Sequence, residues 1–190
     1  MKPNRGIWVL TAACLLALTG MFMLPLLGVP THSVTKNTLS EFGAQLTPHA
    51  WIMNFIFISL AWGSLMAGWR YYEGFMLHRI LLVMFGTSLA LMAFFNQAPL
   101  RPDIPYNITE DGWHAYFSCT TGLSFVLLSI ATSLILERPR GRFMAIASGI
   151  AVIFLSLLMA EADRLAGIWQ RLIFIIAFGW MIYNFKTGHL

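Results

Sequence analysis

Residues 6–29 read GIWVLTAACLLALTGMFMLPLLGV, a run without a single charged side chain. A bilayer's hydrocarbon core is about 30 Å thick, and an α-helix crosses it with about 20 apolar residues. This run supplies them. Its apolar residues do not alternate with polar ones, as the strands of a membrane barrel require. In lipid every backbone amide must be paired internally, which a helix achieves alone. The apolar part is too long for a secretory leader, and no small-x-small cleavage site follows it. Pro25 is expected to bend the helix near its far end.

The same reading extends outward to five more apolar runs, over residues 49–69, 79–95, 112–136, 143–160 and 167–185. The sequence therefore predicts an all-α, polytopic membrane protein: one six-transmembrane-helix bundle occupying residues 1–190. Thr47-Pro48 is expected to open the second span as cap and first-turn proline, and Glu110-Asp111 to suit the start of the fourth. Composition agrees. The 190 residues are 58% hydrophobic and 11% charged, whereas a soluble domain carries about 25% charged residues.

Charge sets the orientation. One side of the spans carries Lys2, Arg5, Arg70, Arg79, Arg138, Arg140, Arg142 and Lys186 against Glu73 and Glu137. The other carries Lys36, Arg101, Arg164 and Arg171 against Glu41, Asp103, Glu110, Asp111, Glu161 and Asp163. Basic loops stay on the cytoplasmic side, so both termini are predicted to be cytoplasmic, in the cell membrane (the inner membrane in a bacterial cell). Basic residues scattered over span ends give no nucleic-acid surface. Small residues at four-residue spacing, Ser59, Gly63 and Ala67 on the second span and Ala145 and Gly149 on the fifth, let helices approach closely.

Polar residues gather on the outer side. Ser40 and Glu41 lie in the first outer loop and Asp103 in the second. Glu161 and Asp163 lie in the third, and Gln170 and Arg171 one turn into the last helix. An arginine within a span is costly. Arg171 is therefore expected to pair with a carboxylate (Glu161, Asp163, Asp103 or Glu41) or to snorkel toward the headgroups. His114 heads the fourth span and shares a helix face with Ser118. It is the residue best suited to acid–base chemistry near neutral pH, or else an interfacial histidine bonded to a loop.

Cys14 and Cys119 form no CxxC pair and read as packing residues. His32, His49 and His114 are the candidate zinc ligands on the outer side, although no two share ligand spacing on one helix. His78 and His189 lie on the inner side, and no histidine sits deep in a span as membrane haem ligands do. No cofactor is named by these patterns. Asn107-Ile108-Thr109 is a formal glycosylation sequon.

Leu39-Ser40-Glu41-Phe42-Gly43-Ala44, with Pro48 and Asn54-Phe55 following, resembles the opening signature of the bacterial membrane-protein family "domain of unknown function 998". Arg101-Pro102-Asp103, His114 and the final Gly167-Ile168-Trp169-Gln170-Arg171-Leu172 with Trp180 fit the same family. The chain looks more distantly like the Frag/DRAM membrane proteins. The resemblance implies a six-helix fold and singles out Ser40, Glu41, Asp103, His114 and Arg171; it implies no activity.

Three functions are open at this stage. The first is a site for a lipid or small amphiphile at the outer face, with Ser40, Arg171, Gln170, Asp163 and Glu161 as ligand-binding residues. If it is catalytic, His114 acts as general acid or base, Asp103 or Glu41 orients it, and Arg171 steadies an anionic group. The second is an accessory or scaffold subunit meeting membrane-protein partners, or further copies of itself, helix to helix. The third is a small transporter, for which the sequence offers no paired broken helices.

Overall fold

A computed structural model describes residues 5–27, 33–101 and 103–187. The regular structure of the described residues is all helical, with no strand. Seven α-helices follow one another: α1 (Arg5–Leu27), α2 (Leu39–Phe42), α3 (Ala50–Tyr71), α4 (Met76–Leu91), α5 (Ile108–Ile135), α6 (Pro139–Glu161) and α7 (Ala166–Thr187). Five of them, α1, α3, α5, α6 and α7, are long and apolar enough to cross a membrane, and α4 is a shorter apolar helix. The chain is thus a multi-pass integral membrane protein. Its large exposed side chains are those that suit lipid: Trp8, Leu15 and Phe22 on α1, and Phe143, Phe154 and Leu157 on α6.

Each long helix packs on the next in sequence, and α7 returns to α1 and closes the ring. Glycines set the closest approaches. A Cβ at Gly63 would come within 2.7 Å of the Leu10 Cα, and one at Gly6 would press on the backbone of Met66 and Ala67. Early α1 therefore lies against late α3, an antiparallel pair drawn together by small residues. On α4, Gly86 faces Leu65 and Leu82 faces Gly68. Phe85 meets Phe125 of α5, while Ser88 accepts a 2.8 Å hydrogen bond from Thr121. So α4 runs antiparallel to both α3 and α5 and lies in the same layer.

The bundle has two unlike ends. The basic end holds the start of α1 and the 72–75 and 136–138 connections. There Arg79 donates to the Trp69 carbonyl at 3.1 and 3.2 Å and lies 4.7 Å over the Trp69 ring. The loop end holds α2 and the two longer connections.

Boundaries differ from the sequence reading in two informative places. The cap of α3 is His49 instead of Thr47; His49 and Leu46 both take left-handed backbone conformations, φ 63° and 60°, which few non-glycine residues adopt. Helix α4 stops at Leu91, and residues 92–95 continue as turns. Ending a helix leaves its last carbonyls without intrahelical partners. Here the N–H groups of residues 92–95 fold back on the Ser88, Ala90 and Leu91 carbonyls, and the Met92 and Phe95 carbonyls beyond the helix build part of the site.

Candidate functional site

The loop end is organised by three polar side chains. The first is Glu41. Thr38 and Glu41 form a reciprocal capping box at α2. The Glu41 carboxylate accepts from the Thr38 N–H at 2.7 Å and the Asn37 amide at 3.0 Å. Both bonds fall on Oε2, which is engaged in folding this loop.

The second is Gln45, which joins the two longer loops. Its amide donates to the Asn96 and Asn107 carbonyls at 2.9 and 3.0 Å and accepts from the Asn107 N–H at 2.8 Å. Asn107 caps α5 by accepting from Thr109 and Glu110 N–H groups. Glu110 and Asp111 of the first turn then accept from the Asn96 and Ala98 N–H groups at 2.8 and 2.7 Å. These acidic residues hold the 92–107 connection onto the start of α5.

The third is Arg171, buried at 4% exposure. The expected carboxylate partner is replaced by main-chain carbonyls. Nη1 donates to Val34, Asn37 and Gly167 at 2.7, 2.9 and 2.8 Å, and Nε and Nη2 donate to Met21 at 3.3 Å. Glu41 contributes electrostatic attraction without replacing these bonds. A buried guanidinium needs its donors engaged, and carbonyls of the loop (Val34, Asn37), α1 (Met21) and α7 (Gly167) supply the acceptors. Backbone bonds follow the same line: Gly167 and Ile168 N–H groups donate to the Lys36 and Thr35 carbonyls at 3.1 and 3.2 Å. Beside them Gln170 accepts from the Leu39 N–H and donates to the Ser40 hydroxyl at 3.5 Å. Residues 33–40 are thereby fastened to the start of α7.

Under this fastened loop a cleft of about 780 Å³ opens between α5 and α6. Its upper end is polar, with Thr38, Ser40, Gln97, Asp111, His114 and Gln170. Its shaft is apolar, with Leu123, Val126, Val152, Ile153 and Leu157. Leu123, Ile153 and Leu157 are also exposed on the outside of the bundle, so the shaft opens sideways on the lipid-facing surface. A smaller pocket of about 90 Å³ lies beside it; Ser118, Gly122, Val152, Ser156, Met159 and Gln170 line both, and Leu89, Phe125 and Phe178 line its inner wall.

His114 is the most informative of the lining residues. It is 5% exposed, and its Nδ1 lies 2.7 Å from the Phe95 carbonyl, with the Met92 carbonyl also beside the ring. A carbonyl only accepts, so Nδ1 carries the proton, and in the neutral ring Nε2 is a bare acceptor. No described group pairs with Nε2. A buried polar atom without a partner is costly, and this one belongs to a side chain that lines the cleft.

The structure brings Ser40, Gln170 and His114 to one cleft. Arg171 supports that cleft from behind. Asp103 is exposed on the 92–107 connection, and Glu161 is exposed at the end of α6; neither lines the cleft. The side chain of Asp163 lies outside the described residues, as do His32 and His189. His49 is exposed, and among the described residues no three of His, Cys, Asp and Glu are grouped so as to hold a metal ion. Gly122 and Phe95 were not singled out by the sequence, and Asp111 was read as a helix-start acid and not as a residue of the site. Asp111 gave a signal, as an acidic first-turn residue three positions before His114. The Phe95 carbonyl and the gap at Gly122 gave none.

A family profile described as "Protein of unknown function (DUF998)" matches residues 11–183. The chain belongs to this family. The match covers α3 to α6 whole, most of α1 and α7, and both loops that build the cleft. It does not carry the more distant resemblance to the Frag/DRAM proteins. No curated protein and no solved structure matches the chain.

Proposed function

We propose that this DUF998 protein crosses the membrane six times, with both termini cytoplasmic, and takes an amphiphile from the outer leaflet into the α5–α6 cleft. Six passes follow if α4 crosses with its neighbours. Its 16 residues span about 24 Å as helix, and the turns at residues 92–95 add to that reach. Antiparallel packing on both sides supports the crossing, and an even number of passes puts both termini at the basic end. That end is cytoplasmic by its charge.

The observation that carries the binding reading is the polarity gradient of the cleft. A polar upper end with an unpartnered His114 Nε2 meets an apolar shaft that opens sideways to lipid. The volume suits a small-molecule site. An amphiphile entering from the leaflet keeps its chain in an apolar medium throughout and exchanges only its headgroup's surroundings.

Gly122 provides the test. A Cβ there meets nothing within 4 Å, and replacing a helical glycine favours the helix by up to about 1 kcal/mol. Gly122→Leu should fill the cleft and leave folding intact. Native mass spectrometry of the full chain released in mild detergent should show lipid retained by the wild type and lost from Gly122→Leu at an unchanged melting temperature. A bare wild type, or equal loading of both, would sink the proposal.

A further inference from the structure

The absence of a cation beside the Asp111 carboxylate and the bare His114 Nε2 among the described residues at the cleft's upper end selects its occupant, an inference that rests on the amphiphile reading above. Among the described lining residues, Asp111 alone is charged, and no lysine or arginine is present. Arg171 is not a substitute, because the carbonyls of Met21, Val34, Asn37 and Gly167 hold its guanidinium outside the cleft. His114 offers a bare Nε2 acceptor while Nδ1 is held by Phe95. Asp111 spends Oδ1 on the Ala98 N–H and keeps its second oxygen as an acceptor. The Ser40 hydroxyl accepts from Gln170 and can donate or accept once more.

Phosphate is a poor match for such a set. It carries only acceptors at its charged oxygens and is recognised by arginine, lysine or clustered N–H groups. Here it would meet a carboxylate and a lone pair beside the uncharged donors of Thr38, Ser40 and Gln97, with no cation among the described lining residues to balance it. A hydroxyl matches both: it donates to Nε2 or to the Asp111 carboxylate and accepts from the neighbouring amide or hydroxyl. The geometry points to an uncharged, hydroxyl-headed lipid of the acylglycerol class as the occupant, with His114 Nε2 receiving a headgroup hydroxyl and the acyl chain lying along Leu123, Val126 and Ile153. Anionic phospholipids are discriminated against by unpaired like charge, a common device of specificity.

Two probes that differ by one phosphate test this: 1-monooleoylglycerol and 1-oleoyl lysophosphatidate. Each is titrated onto the full-length protein in mild detergent, with binding read by native mass spectrometry. The neutral lipid should bind at least about tenfold more tightly than the phosphate. His114→Ala should weaken the neutral lipid about tenfold, the loss expected for one buried hydrogen bond. Asp111→Asn keeps the acceptor for Ala98 and removes the charge, so it should narrow the gap between the two lipids even if His114→Ala folds poorly. Gly122→Leu should abolish both. Preference for the phosphate, lost in Gly122→Leu, would overturn the headgroup assignment and leave the cleft reading standing. Binding of neither probe would overturn the headgroup assignment, and retention of native lipid by the wild type but not Gly122→Leu would still uphold the cleft. Affinities unchanged by both His114→Ala and Asp111→Asn would also overturn it.

Discussion

Arg171 Nη1 donates to the Asn37 carbonyl at 2.9 Å although 134 residues separate them in sequence. That bond and its companions to Val34 and Met21 make one side chain the clasp between a loop, α1 and α7. A lysine would keep the charge and the reach to headgroups but lose the planar fork that serves several carbonyls at once. Snorkelling would survive Arg171→Lys; a clasp would not. We expect a loss of about 3 kcal/mol or more, the scale seen when a buried charge network is broken. Thermal unfolding in detergent should show it as a large drop in melting temperature, and proteolysis should cut residues 33–49 faster. An unchanged melting temperature would remove Arg171 from this role.

The helical class and the long spans were legible because hydrophobic runs without charges have one solution in lipid. The partners at the loop end were less so, for a physical reason. Arg171 and His114 both pair with main-chain carbonyls, and a carbonyl leaves no mark in sequence. The Phe95 carbonyl that holds His114 lies beyond the end of α4 at Leu91, and helix ends are the least readable part of a sequence. Glu41 was a different case. Thr38 and Glu41 stand three apart, the spacing of a capping box, so its structural employment was written in the chain beside the catalytic expectation. The shaft of the cleft was hidden altogether, because Leu123 and Ile153 look like any lipid-facing residues until the gap beside Gly122 is seen.

Gly167 tests the clasp from the other side. A Cβ there would come within 2.6 Å of the Val34 carbonyl oxygen and 2.8 Å of Arg171 Nη1, and would also press on the Asn37 carbonyl. Backbone carbonyls held by a guanidinium cannot step aside without losing their bonds. Gly167→Ala should therefore destabilise by about 1–3 kcal/mol, the usual result of overpacking. Gly179 lies on the same helix with open space where its Cβ would stand, so Gly179→Ala should be neutral or mildly stabilising. Comparing the two melting temperatures separates a local clash from helix propensity. Equal effects would show that the loop does not seat on α7 as described.

The basic end makes a prediction that depends on pH. Tyr72 is fully buried in the connection between α3 and α4. Its hydroxyl lies 2.8 Å from the Thr132 hydroxyl, and its ring stacks on His78 at 5.1 Å and meets Phe185 edge-on at 5.8 Å. Burial pushes the phenol's pKa up, because phenolate has no solvent there. The unfolded chain ionises this group near pH 10, while the folded chain keeps it protonated. The folded-state pKa lies above the unfolded one, so the contribution is complete below about pH 10 and is lost as pH rises beyond it. Tyr72→Phe should cost about 1 kcal/mol at pH 8 through the lost hydroxyl pair. It should also flatten the alkaline decline, so that wild type and variant converge or cross between pH 8 and pH 11. Melting curves of both proteins across that range measure it. Parallel declines would mean that Tyr72 reaches water at the basic end, and that the α3–α4 connection is looser than its packing against Thr132 and His78 implies.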